Sequence, residues 1–349
     1  MEYKIGMIGC GTVGRGFLEI LLNKGPALMD SHSFEARLVA VSDKLKGSLL
    51  VPEGIDLRKL LGVLEGGGDL AAYPGGRSAK DKPLEPLDMI EQCDADIMAE
   101  LTTTDIKTGE PATGYIQKAL RSGKHVVTSN KGPAALHYQE IKKLADQNSR
   151  AFRIEGTVMS GTPVFSLFEG GLAGNTVRDV KGILNGTTNF ILSKMEEDGM
   201  EYSQALKLAQ KLGYAEADPF ADVEGFDALA KIVILSNVFM AASLKPSDIK
   251  PQGISRLSRQ DILQAKKENY RYKLIAQAKK EGDRVTAGVS PQKLPLADPL
   301  AGVMGAHNAL TFDLDLMGRV TISGPGAGKT ETGFAILSDV LAIHRQYGK

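Results

Sequence analysis

The chain has 349 residues, long enough for two domains with substantial cores. Apolar residues make up 42% and charged residues 24%, as in a soluble globular protein, and 42 Lys plus Arg against 42 Asp plus Glu leave no net field to recruit nucleic acid or an anionic membrane. The cysteines Cys10 and Cys93 are too few for a disulfide framework or a thiolate metal cage and read as small buried hydrophobes. The N-terminus is unlike a signal peptide and no window approaches the ~18 apolar residues of a membrane span, so a cytoplasmic protein is expected.

Tyr3 to Gly9 reads as a short apolar strand running into Gly9-Cys10-Gly11-Thr12-Val13-Gly14, followed by the helical spacing of Phe17, Leu18, Ile20, Leu21 and Leu22. This is the dinucleotide fingerprint in its strand-to-helix setting. Its glycines permit a tight turn and close approach of a pyrophosphate, whose charge the helix N-terminus receives. Phe34 to Ser42 reads as the second parallel strand, ending in Asp43, where an acid binds the adenosine ribose and favours NAD. Lys44 and Lys46 beside it would suit the 2′-phosphate of NADP, so the preference stays open.

Residues 44 to 88 read as helix pieces and loops. Ala95 to Glu100 and His125 to Thr128 are further strands with a helix at Gly114 to Ser122 between them, and each strand ends in polar residues: Thr102, Thr103 and Thr104, then Thr128, Ser129, Asn130 and Lys131. The carboxyl ends of parallel strands line the ligand crevice, which makes these residues cofactor or substrate candidates. A helix over 135–148 follows, and then 151–164 and 177–184 read as strands of a second sheet.

Gly186 to Asn189 reads as a hydroxyl-rich turn before a helix from Phe190 to Glu197, and Tyr202 to Leu212 is an amphipathic helix delivering GYAEADPFADVEGFDALAK at 213–231. That stretch holds Glu216, Asp218, Asp222, Glu224 and Asp227, and its Lys231 opens the apolar run IVILSNVFMAA. On a helix over 227–242, Asp227 and Lys231 lie one turn apart on one face. They form either a surface ion pair at a helix N-terminus or, among carboxylates that would jointly receive a substrate ammonium, a proton-donating site. Arg284 to Ser290, Ala309 to Leu316 and Arg319 to Ser323 read as returning strands and Glu331 to Arg345 as a closing helix. SGPGAGKT at 323–330 imitates a phosphate-binding P-loop but has Ser323 where the pattern needs Gly, so it reads as a Gly-rich turn approaching the dinucleotide.

GCGTVG at 9–14, TSNKGP at 128–133, EGTVMSGTP at 155–163, GILNGTTNFILSKM at 182–195, GYAEADPFADVEGFDALAKIVIL at 213–235 and GPGAG at 324–328 together resemble homoserine dehydrogenases, over essentially the whole chain. The resemblance implies an α/β fold: a Rossmann-type doubly wound parallel sheet over 1–133, completed by 320–349, and an α+β substrate-binding and dimerisation domain over 134–319. It implies NAD(P)-dependent interconversion of L-aspartate 4-semialdehyde and L-homoserine by a homodimer without a kinase partner or C-terminal regulatory domain. Lys231 matches the proton donor and Asp227 its neighbouring carboxylate; Glu216, Asp222, Tyr214 and Gly213 match the substrate site. Lys131 matches a lysine between nicotinamide and substrate, and Gly328 a cofactor-facing glycine. A monovalent cation, often sodium, is implied at the Glu155 side chain and the backbone oxygens of Val158, Ser160 and Thr162, the last standing where relatives often have glycine. Strands around 151–184 and 284–316 are expected to leave apolar sheet for the partner subunit. Aspartate-semialdehyde dehydrogenase, which needs a cysteine nucleophile, and a non-catalytic NAD(P) sensor are the alternatives.

Overall fold

The computed structural model describes residues 1–74 and 84–348, so the part of the 44–88 stretch at 75–83 lies outside the described residues. Strand β1 (Glu2–Ile8) is buried from Ile5 onward and turns through Gly9 into α1 (Thr12–His32), β2 (Glu35–Asp43) and β3 (Gly47–Leu50). Helix α2 (Leu57–Glu65) starts at Asp56, whose carboxylate takes the N–H groups of Arg58 and Lys59. Then come α3 (Pro86–Gln92), β4 (Ile97–Glu100), α4 (Ala112–Arg121) and β5 (His125–Thr128). The helix expected over 135–148 is two, α5 (Lys131–Leu136) and α6 (Tyr138–Gln147), parted at His137. The two-residue β6 (Phe152–Arg153) and α7 (Phe165–Gly171) follow.

The sheet order is β3-β2-β1-β4-β5-β6, parallel except for β3, which pairs antiparallel with β2. Every residue of β4 and β5 is buried, the pattern of central strands covered on both faces. Two sequence expectations are corrected here. The 44–88 stretch contains a strand, β3, and the segment over 151–164 adds β6 to this first sheet through Val126↔Phe152 and Val127↔Arg153, then enters a 3₁₀ turn at Glu155–Thr157.

The His125 ring is buried against Tyr347 (4.4 Å between centroids), and its Nδ1 accepts the Ala151 N–H at 3.0 Å. Burial, with the Arg150 charge second, pushes its pKa down to about 4. The unfolded chain therefore takes up this proton first, and the neutral imidazole's contribution, complete above about pH 6.5, is lost as pH falls toward 4. Thermal melts from pH 7 to pH 4.5 are expected to decline more steeply for the wild type than for His125→Asn; equal slopes would show that His125 does not carry the acid sensitivity.

From Val177 on the chain builds an antiparallel unit: β7 (Val177–Ile183), α8 (Gly186–Glu197), α9 (Tyr202–Lys211), α10 (Phe220–Val223), α11 (Phe226–Phe239) and α12 (Arg259–Lys267) precede β8 (Tyr270–Glu281), β9 (Arg284–Pro295), β10 (His307–Leu314) and β11 (Gly318–Pro325). The sheet order is β11-β10-β7-β8-β9. One face is apolar: Phe312 packs on Phe239 of α11 and on Phe168, with Val180 and Leu310 buried beside it. The other carries Asp179, Lys181, Gln277, Thr311, Asp313 and Thr321, paired across strands. The expected apolar surface on these strands is thus corrected: Lys181 bonds Asp298 and Gln277 bonds Asp179 on the polar part of this face, while its apolar residues Ile183, Ile275 and Ala309 are buried with Leu294, Leu300 and Ala301.

The C-terminal helix α13 (Lys329–Tyr347) returns to the parallel-sheet unit and crosses α1 where Gly16 and Gly333 let the backbones touch; a Cβ on Gly16 would lie 2.2 Å from the Lys329 carbonyl. Contacts divide the chain into Met1–Ser166 with Gly328–Lys349, and Leu167–Ala327. The sequence reading draws the divisions at 133/134 and 319/320. They fall later because β6 joins the first sheet, because Glu155 binds the N–H groups of residues 164–166, and because β11 pairs with β10 as far as Pro325.

Candidate active site

In the parallel-sheet unit, Gly9 has φ +92° and abuts the end of β4, where a Cβ would lie 2.4 Å from the Leu101 carbonyl. Gly14 faces the Gly9 carbonyl, while a Cβ on Gly11 would meet nothing within 4 Å. Helix α1 starts at Gly11 without a side-chain cap, so its first N–H groups face open space beside Thr12 and Val13. A tight turn, open space above it and an uncapped helix N-terminus fit a dinucleotide pyrophosphate.

Asp43 ends β2 with one carboxylate oxygen accepting the Cys10 N–H at 2.8 Å and the other accepting the Leu45 N–H at 3.0 Å. Burial raises its pKa, but these bonds and Lys46, 3.5 Å away, outweigh burial and hold it below the usual carboxylate range. Lys44 is exposed. At the ends of β4 and β5 the organising group is one the sequence reading missed, Glu100. Its buried carboxyl, raised in pKa by burial, takes the N–H and hydroxyl of Thr102 and the hydroxyl of Thr128. Asn130 reaches the Thr102 and Thr103 carbonyls and caps α5, whose first residue is Lys131. Gly328 precedes α13 at φ +150°, and a Cβ there would strike the Glu331 carboxylate at 2.0 Å.

Glu155 is 2% exposed and its carboxylate accepts the N–H groups of Val164, Phe165 and Ser166, serving the start of α7. Met159 and Ser160 adopt left-handed backbone (φ 59° and 54°), turning the chain between Val158 and Thr162. With three of about four acceptor directions on Glu155 engaged, a cation here would draw most of its oxygens from the Val158, Ser160 and Thr162 carbonyls. That oxygen-only set suits a hard cation. Neither cysteine is placed as a nucleophile: both are buried, and burial, then Asp43, pushes Cys10 up to about 12.

In the antiparallel unit, Gly213 (φ +79°) ends α9, and Gln210 braces the next turn through the Glu216 and Ala217 carbonyls. A second left-handed glycine, Gly225 (φ +84°), starts α11, which places Asp227 in its first turn and Lys231 one turn on. Lys231 is 8% exposed, and its Nζ donates to Asp227 Oδ2 and to the Leu184 carbonyl, both at 2.7 Å. A surface ion pair is not what these residues form.

Asn185, before α8, donates through Nδ2 to Asp222 Oδ1 (2.7 Å) and Asp227 Oδ2 (3.0 Å), bridging the two carboxylates. The Thr187 hydroxyl donates to the Tyr214 carbonyl at 2.5 Å and lies 3.2 Å from Asp222 Oδ2. Burial first, and Asp227 second, raise the Asp222 pKa. Of the five acids in the stretch only Asp222 and Asp227 join Lys231; Glu216 and Asp218 are exposed and Glu224 turns toward Gly253. Tyr214 is 46% exposed, its ring against Phe190. Asn185 and Thr187 were missed as site residues, although the run Asn185-Gly-Thr-Thr-Asn189 marked the place; the residues read as a turn are the first turn of α8, with Asn185 accepting the Thr188 N–H.

A dinucleotide turn on a parallel sheet in one unit and a buried lysine paired with Asp227 in the other are features of an NAD(P)-dependent oxidoreductase. Residues 9–155 match the NAD-binding domain of homoserine dehydrogenase and residues 163–341 match homoserine dehydrogenase itself. The chain is 45% identical to an NAD(+)-dependent homoserine dehydrogenase of Pseudomonas canavaninivorans, over 99% of this chain and 97% of that one. It is 39% identical to the homoserine dehydrogenase of Methanocaldococcus jannaschii, over 98% and 99%. Its structure superposes on a putative homoserine dehydrogenase of Archaeoglobus fulgidus with a TM-score of 0.87 at 36% identity, covering 98% of this chain and 99% of that one. A hyperthermophilic archaeal homoserine dehydrogenase mutant in complex with NADPH gives 0.82 at 28% identity, covering 99% of each. The chain belongs to the homoserine dehydrogenase family, enzymes that interconvert L-homoserine and L-aspartate 4-semialdehyde with a nicotinamide cofactor.

Proposed function

We propose that Lys231 is the proton donor to the aldehyde oxygen during reduction, and that Asp227, Asp222 and Asn185 hold it for that task. The observation carrying this is the lysine's bonding: two of its three N–H groups are engaged by Asp227 and Leu184, leaving one for a substrate oxygen. The bound nicotinamide supplies the hydride. As the alkoxide forms, the Lys231 Nζ passes it a proton, and Asp227, accepting from the same nitrogen, holds the donor in place. Glu216 and Asp222 bind the substrate ammonium beside Tyr214 and Gly213, and Lys131 contacts cofactor or substrate. Absorbance at 340 nm with homoserine and each cofactor tests the assignment of activity; a protein that binds cofactor without turnover is the sensor instead.

Gly9, Gly11 to Gly14, Asp43, Thr102, Thr103 and Gly328 form the proposed cofactor site, which takes both NAD and NADP. Asp43 is already committed to the Cys10 and Leu45 N–H groups, so it serves the ribose with its remaining acceptor directions. Asp43→Ala is expected to lower kcat/KM with NAD more than with NADP, because only NAD offers a free 2′-hydroxyl to the carboxylate. An unchanged ratio would take Asp43 out of the ribose site.

The protein is further proposed to be a cytoplasmic homodimer assembled through its antiparallel unit. Among the described residues no helix is long and apolar enough to cross a membrane, and both cysteines are free and buried. The exposed Leu316 and Met317 lie at the turn between β10 and β11 and offer a small apolar patch for the contact. Light scattering at micromolar concentration is expected to give twice the chain mass; the mass of one chain would exclude the dimer.

A further inference from the structure

The most deeply buried lysine among the described residues lies outside the carboxylate cluster. Lys273, in β8, is 1% exposed, and its ammonium donates to Asn189 Oδ1 at 2.9 Å, to the Val303 carbonyl at 2.5 Å and to the Met304 thioether at 3.4 Å. All three acceptors are uncharged. Burial pushes its pKa down to about 8, partly offset by Glu196, which is itself paired with Arg271 at 2.8 Å. A buried cation without its own carboxylate is costly, so its bonding matters more than its packing.

What it binds together is α8 and the segment 303–307 that leads into β10. Asn189 donates through Nδ2 to the Val303 and His307 carbonyls, both at 3.1 Å. Ser193 Oγ donates to the Asn189 carbonyl at 2.7 Å and accepts the Gly305 N–H at 3.0 Å. The segment reaches the first residue of α8, since a Cβ on Gly186 would lie 2.7 Å from the Ala306 carbonyl. The next residue adds nothing: both side-chain amide atoms of Asn308 are buried without a partner. One helical turn before Asn189 stands Asn185, which bridges Asp222 and Asp227.

We propose that Lys273 is a positioning residue for the reaction: by locking Asn189 and segment 303–307 it sets the N-terminal turn of α8, and with it Asn185 and Thr187, against Asp222 and against Asp227, which holds Lys231. The proposal rests on the reading of Lys231 as proton donor. Lys273→Met keeps the length and removes the donors. In folded protein it is expected to lower kcat roughly 10- to 100-fold, the scale of a small misplacement of reacting groups, and to raise KM for homoserine while leaving KM for the dinucleotide unchanged.

Acting through Asn185, it should add less than about 2-fold in an Asn185→Ala background, as expected for residues in one network. Asn189→Asp keeps an acceptor for Lys273 but loses the donors to segment 303–307; it should reproduce the kcat loss, and it decides the matter if Lys273→Met does not fold. Wild-type kcat in folded Lys273→Met or Asn189→Asp, or a full additive loss in the Asn185→Ala background, overturns the proposal. Lys231→Ala measured alongside keeps the two readings apart: turnover there removes the proton donor, whereas inactivity there with additive behaviour here removes only the positioning role.

Discussion

Lys231→Ala is expected to reduce kcat by roughly 10²- to 10⁴-fold, the usual range for loss of general acid catalysis, while NAD(P)H affinity stays near wild type. Cofactor affinity is spared because the residues proposed to bind the dinucleotide belong to the other compact unit. Lys231→Arg is expected to be nearly as damaging, since a guanidinium keeps the charge but scarcely releases a proton near neutrality and is bulkier. A purely structural ion pair predicts the reverse: lower melting temperature in Lys231→Ala, recovery in Lys231→Arg, and normal turnover by the folded fraction. Measuring kcat, cofactor affinity and melting temperature on both variants separates the two, and wild-type turnover in well-folded Lys231→Ala would sink the catalytic assignment.

Asp227→Ala is the second large effect, and it should act on stability and rate together. The pair is almost closed to solvent, with side chains 10% and 16% exposed, so removing the carboxylate leaves the ammonium hydrogen-bonded only to the Leu184 carbonyl, with the Asp222 charge near but not bonded to it. Breaking such a buried pair from one side costs about 3 to 5 kcal/mol, chiefly for the stranded charge. Adding Lys231→Met removes that charge. The double variant should therefore recover much of the stability and none of the activity, a split visible by comparing denaturant midpoints with initial rates. An Asp227→Ala variant as stable as wild type would mean that water already carries the lysine's charge.

Residues near one another in the chain determined much of this protein legibly. The Gly9–Gly14 turn, the continuous apolar strands β1, β2, β4 and β5, and the Asp227–Lys231 spacing on α11 all follow from local periodicity and from glycines whose backbone other residues cannot adopt. The longer motifs carried the family resemblance. What local pattern cannot encode is the partner across the fold. Strand β8 alternates Arg271, Lys273, Gln277 and Lys279 with Tyr272, Leu274, Ala276 and Ala278, and nothing in that pattern tells that Lys273 is buried in a hydrogen-bond network while Lys279 is exposed to water.

By composition the 151–164 segment reads as part of the second sheet, but a strand's composition does not name its neighbour; pairing with β5 and the capping of α7 by Glu155 place it in the first. Five acids look equivalent in the chain, yet only Asp227 bonds Lys231, and only Asp222 joins that pair, through Asn185. Asn185, 42 residues before Asp227, supplies the donor that lets two like charges share one place, and the remaining acids turn to solvent or elsewhere. Local propensity selects the elements. The requirement that each buried charge and polar atom find a partner selects their arrangement, and those partners are distant in sequence.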